Sequence, residues 1–186
     1  MFNIILLSIS IFVSCSPKPD TTGSWINPEK LSDVGIFTES IPKREVRWKS
    51  PPHVRICDFS PVDVERVHAA IKWWQDRGYM FAGVSNGGIW GGCKHGKISG
   101  SITISLSGQD FKFSEHLGET RVYKTTSGMI LQANIEIPEG SGEKDRILEH
   151  EIGHAIGWGH YKKRGHIMHP VYNMGGLDDA YVHHDF

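Results

Sequence analysis

The chain has 186 residues, which is one domain's worth plus an end segment, and 39% of them are hydrophobic, enough for a core. Twenty Lys and Arg stand against 21 Asp and Glu, a formal charge of −1. That balance offers no electrostatic case for a nucleic-acid partner.

Residues Ile4 to Val13 form an apolar run that is too short to span a bilayer and sits where a secretory signal would. The run ends in Phe12-Val13-Ser14-Cys15, which resembles the lipobox of bacterial lipoproteins, where the cysteine is lipid-modified and becomes the new N-terminus. Residues 1–15 are therefore expected to direct export, either as a lipoprotein anchored to a membrane through Cys15 or, after ordinary cleavage, as a secreted or periplasmic protein. Residues 16–50 are rich in Pro, Ser, Thr and charge and lack apolar periodicity, so they read as a tether. With Cys15 assigned to the lipid, Cys57 and Cys93 remain as a candidate disulfide pair or as two unpaired buried thiols. Closing that loop would add roughly 4 kcal/mol on the chain-entropy model.

From Pro51 the pattern becomes orderly. His53 to Phe59 alternates like a strand, and Ser60-Pro61 suits the N-cap and first position of a helix. Val64, Val67, Ile71 and Trp74 give that helix an apolar stripe expected in the core, and His68 within it has no companion ligand. Gly78 ends the helix, and Tyr79 to Val84 is expected as the second strand. In the glycine-rich loop that follows, residues 91–97 have the spacing of a phosphate-binding loop. Ile98 stands where a Ser or Thr hydroxyl is needed and a strand follows instead of a helix, which argues against a nucleotide site. Ile102 to Leu106 is the third strand. Arg121 to Thr125 and Met129 to Ile137 alternate on either side of Thr126-Ser127-Gly128 and predict a hairpin.

The residues with the clearest chemistry follow Pro138 and Gly140. A helix over Asp145 to Ile156 puts the imidazoles of His150 and His154 on one face, one turn apart, where they can share a metal ion. Gly157 tolerates the left-handed turn that swings His160 back to the same ion. Three neutral imidazoles suit one catalytic zinc ion that keeps a position for water, and Glu151, beside the first ligand, is the general base of such a motif. His166 and His169 could compete for metal on composition alone.

With Met168 eight residues after His160, inside His166-Ile-Met-His-Pro-Val-Tyr172, the chain is similar to the metzincin zinc peptidases and, among them, resembles the matrixins most. The resemblance implies an α+β fold: a mixed twisted sheet of four or five strands with an antiparallel edge strand, a backing helix, an active-site helix and a shortened C-terminal region. Residues 51–186 would be this catalytic domain. It further implies that Met168 forms a hydrophobic turn under the three histidines and that Pro170, Val171 and Tyr172 wall the main specificity pocket, with Arg146 on its floor. Arg121 to Thr125 would be the edge strand to which a polypeptide substrate adds as another strand. Zymogen latency through a pro-segment cysteine is not expected, since none lies in 16–50, and Leu177-Asp178-Asp179 resembles the entry to the family's final helix. The implied protein is a monomeric metalloendopeptidase. Two other readings stay open, a catalytically idle zinc-containing binding lipoprotein and a zinc hydrolase of a non-peptide substrate.

Overall fold

The computed structural model describes residues 44, 46–86, 93, 98–107 and 116–176, and the backbone of 20–26. Cys15, the expected export signal and Leu177-Asp178-Asp179 lie outside the described residues. The fold is α+β: a mostly parallel sheet of seven strands with two helices among the described residues. In chain order the elements are β1 (Asp20–Ile26), β2 (Arg47–Trp48), β3 (His53–Ile56), α1 (Val64–Gln75), β4 (Gly83–Asn86), β5 (Ser101–Leu106), β6 (His116–Lys124), β7 (Met129–Ile137) and α2 (Ile147–Ala155). A short 3-10 turn, Tyr172–Met174, follows.

The sheet runs β1-β6-β7-β5-β3-β4, with β2 pairing the first two residues of β7. All pairings are parallel except β6–β7 and β1–β6. Gly128, at a φ of 79°, turns the chain between β6 and β7 as the hairpin pattern predicts. Val54, Ile56, Ile102, Ile104, Ala133, Ile135 and Ile137 are buried in one cluster with Trp74 of α1 and Ile152 of α2. The alternation in β3 and β7 follows from the strand period of two, which sends every second side chain into that core.

Several boundaries differ from expectation for identifiable reasons. Helix α1 starts at Val64 with Asp63, not Ser60, as its N-cap: Asp63 Oδ1 accepts the Arg66 amide at 2.7 Å. A carboxylate there both caps and complements the helix dipole. Val64 is consequently in the exposed first turn, and the buried stripe is Val67, Ala70, Ile71 and Trp74. β3 gives way after Cys57 to a turn, in which the Ser60 amide donates to Cys57 O at 3.1 Å and Phe59 takes a φ of +62°; Cys57 is bonded to Cys93, Cα atoms 5.5 Å apart.

The sheet has seven strands rather than four or five, and the two additional ones come from 16–50, the segment expected as a tether. The domain therefore does not begin at Pro51: Val46 is buried in the core and Arg44 pairs with Trp158. The edge strand also requires correction. Arg121 to Lys124 belongs to β6, which lies inside the sheet because β1 pairs along its outer side.

Candidate metal centre

Helix α2 is short, and its C-terminal end is determined by several contacts at once. Gly157 takes a φ of +108°, and its amide donates to His154 O while the Trp158 amide donates to Gly153 O, both at 2.9 Å. This paired pattern is a Schellman motif, which stops a helix on a left-handed residue. A β-carbon at Gly157 would also run into the Val46 carbonyl. The next orphan carbonyls are taken from the same segment: Trp48 Nε1 donates to Ala155 O at 2.8 Å, and Arg44 Nε donates to Ile156 O at 3.0 Å.

The reversal at Gly157 brings His160 back. Its ring centroid lies 4.7 Å from that of His154 and 5.5 Å from that of His150, and the candidate ligand nitrogens of the three all fall within 4.8 Å of one another. These three histidines could hold a metal ion. His150 Nδ1 lies 2.6 Å from Ile167 O and His154 Nδ1 lies 2.7 Å from Trp158 O. A carbonyl can only accept, so each Nδ1 carries the proton and each Nε2 presents a lone pair. Those two Nε2 atoms face each other at 3.0 Å. Burial holds His150 well below its ordinary pKa, with the neighbouring His154 and His160 adding to the effect, and lowers His154 to about 4. Burial also takes His160 down to about 2, and its Nε2 has no hydrogen-bond partner among the described residues. Two neutral imidazoles whose Nε2 atoms face each other, and a third whose Nε2 is unmatched, form a donor set that could hold a cation.

Glu151 is fully buried on α2. Thr120 Oγ1 of β6 lies 2.6 Å from Glu151 Oε2 and donates to it, and the same hydroxyl is 3.1 Å from Glu151 O. Two residues earlier on that strand, Gly118 leaves the space the carboxylate fills, since a β-carbon there would stand 2.8 Å from Oε1. Neither Gly118 nor Thr120 is signalled by the sequence, because each acquires its role only when β6 is laid against α2.

Met168 is fully buried in a turn closed by the His169 amide donating to His166 O at 3.0 Å. It packs on α2 at Gly153, where a β-carbon would collide with Met168 Sδ and the Trp74 ring. The adjoining Ile167 carbonyl is the one that orients His150, so this turn and that imidazole are mechanically joined. His166 and His169 stand outside the three-histidine group. Each uses Nδ1 to accept a nearby amide, from Met168 and Val171 respectively, at 3.0 Å.

Arg146 and Tyr172 line one surface cavity of about 590 Å³ together with Arg66, Asp145 and Glu149. Arg66 and Glu149 make a two-pronged ion pair there, at 2.9 and 2.7 Å. Burial, and then the nearby Asp145 charge, raise the Tyr172 phenol. Pro170 and Val171 are buried and do not line this cavity. No protein-family model, curated protein or solved structure matches the chain. Among the described residues, no helix is long and apolar enough to cross a membrane.

Proposed function

We propose that the chain is a zinc-dependent endopeptidase of the metzincin type that cleaves extended polypeptides, with His150, His154 and His160 as ligands and Glu151 as general base. The observation that carries this reading is the pair of Nε2 lone pairs held 3.0 Å apart beside a buried carboxylate. Two nitrogens bound to one tetrahedral zinc at about 2 Å stand about 3.3 Å apart, close to what the two rings already adopt. Bound zinc supplies Lewis acidity, bringing the pKa of a water to about 7 and polarising a carbonyl.

The protein's own groups supply the proton traffic and the positioning. Glu151 takes the proton of the attacking water on its carboxylate and passes it to the leaving nitrogen. The Thr120 hydroxyl keeps Oε2 engaged, so the carboxylate stays in one rotamer throughout. Met168 supports the helix between the two ligands it carries. The cavity shared by Arg146 and Tyr172 would receive a substrate side chain. Export, and anchoring through Cys15, belong to the same proposal.

The test compares the full chain with Glu151→Ala, measuring zinc content by elemental analysis and hydrolysis of an unfolded protein such as casein. The expected result is equal zinc in both proteins and cleavage by the parent alone. Zinc in both with cleavage by neither would replace the peptidase with a binding protein. Cleavage that survives Glu151→Ala would remove the general base from the scheme.

A further inference from the structure

We infer that Asp20–Ile26 is a built-in competitor of the polypeptide substrate. It occupies, as an antiparallel strand, the edge of β6 on which an extended chain would pair, and the cleft becomes accessible when it leaves. The inference rests on the peptidase reading above. Its starting observation is independent of that reading: a stretch with no strand-like alternation is nonetheless paired with β6 from Asp20 opposite Val122 to Ile26 opposite His116.

Position is the first argument. β6 is the strand that holds the general base, through Thr120 and the space at Gly118, and Gly23 lies directly opposite Thr120. β1 also approaches α2. Without β1, the outer amides and carbonyls of β6 would be exposed along the site and ready to pair with any extended polypeptide. A substrate pairing there would need the backbone positions that 20–26 holds.

Weakness of attachment is the second argument. The β1–β6 ladder is interrupted twice, between Thr21 and Gly23 and between Ser24 and Ile26, whereas the β5–β7 ladder runs unbroken from Ile102 to Leu106. Each interruption leaves ladder groups unpaired. Asp and Gly are also poor strand formers, and β1 contains both, as Asp20 and Gly23. A strand of this kind is suited to being displaced. If it holds the edge about nine-tenths of the time, the apparent affinity for substrate is reduced about tenfold, and kcat is unchanged.

Two variants of the full chain test this. Gly23→Pro with Ser24→Pro removes the amides of adjacent positions opposite Thr120 and Glu119, so one of the two lies in the ladder whichever parity faces β6. Ser24→Cys with Glu119→Cys joins opposed positions and locks the strand in place. Zinc content and thermal melting establish that each variant is folded. The expected result with casein is a KM about tenfold lower for the proline variant at unchanged kcat. The oxidised cysteine variant should lose cleavage and regain it on mild reduction, with the parent treated alike. In parallel, binding of fluorescein-labelled casein to the Glu151→Ala chain should tighten by the same factor when the prolines are added. Cleavage whose KM ignores both variants overturns the inference and leaves the peptidase standing. Absence of cleavage with binding that responds to the prolines overturns the peptidase and keeps the strand as a competitor for polypeptide. Absence of both responses overturns both.

Discussion

Gly157→Ala isolates how His160 is brought to the other two histidines. An L-residue at a φ of +108° costs about 1–2 kcal/mol by itself. The added carbon would also overlap the Val46 carbonyl, so the segment bearing Val46 must retreat. Retreat stretches the bonds from Trp48 to Ala155 O and from Arg44 to Ile156 O, each worth about 1 kcal/mol. The total is about 3–4 kcal/mol, or about 10 °C in melting temperature for a domain of this size. Gly140→Ala is the control, since Gly140 has a φ of +76° and a β-carbon placed on it would meet nothing within 4 Å, so it bears only the backbone term. Zinc affinity, measured by competition with a chromogenic chelator, should fall roughly 10- to 100-fold for Gly157→Ala, as when a ligand's supporting contact is lost, and stay unchanged for Gly140→Ala. Equal destabilisation by the two substitutions, or undiminished zinc affinity in Gly157→Ala, would refute the account of how His160 is aimed.

Three further outcomes follow from the same geometry. A chain begun at Pro51 lacks Arg44, Val46 and Trp48. It should melt well below one begun at Ser16 and bind zinc more weakly, because the last carbonyls of α2 lose their donors. Thr120→Val preserves shape but removes the donor to Glu151 Oε2; at about 1.5–3 kcal/mol for a hydrogen bond to a charged group, kcat/KM should fall roughly 10- to 100-fold while zinc content holds. In metal-free protein, burial holds His154 and His166 at about 4 against an ordinary 6.5, with His150 and His160 also depressed. The unfolded chain then binds more protons than the folded one between those values, so stability is complete above about 6.5 and is lost as pH falls toward about 4. Melting curves across that window check the sign, and a melting temperature that rises on acidification would contradict it.

What could be read from the sequence follows the range of the interactions. His150, Glu151, His154, Gly157 and His160 lie within eleven residues, and helical period plus one left-handed glycine nearly determine their arrangement. The hairpin was legible for the same reason, as two alternating runs about a glycine turn. The start of α1 was ambiguous locally, because Ser60 and Asp63 can each cap a helix and only the folded turn selects Asp63. β1 and β2 were hidden for a different reason. β1 has a polar sequence with no alternation, and β2 has only two residues, so neither carries a period to detect. Gly118 shows its purpose only against a carboxylate about thirty positions further along the chain.

The N-terminal segment thereby changes from spacer to working part. A nine-residue helix is marginal in isolation. This one also carries two imidazoles and two carboxylates in a buried environment, which disfavours it further. Its position is fixed by contacts from elsewhere: Trp74 Nε1 donates to Glu149 O at 2.7 Å, Arg66 clasps Glu149, and Ile167 and Trp158 carbonyls orient the rings. Arg44 and Trp48 close the remaining end, and they do so from the same stretch of chain that begins with β1. Residues 44–48 therefore hold the helix of His150 and His154 in place, while residues 20–26 pair along the outer side of β6. Removing the whole segment would confound the two effects, so only changes confined to 20–26 can reveal the site without also loosening it.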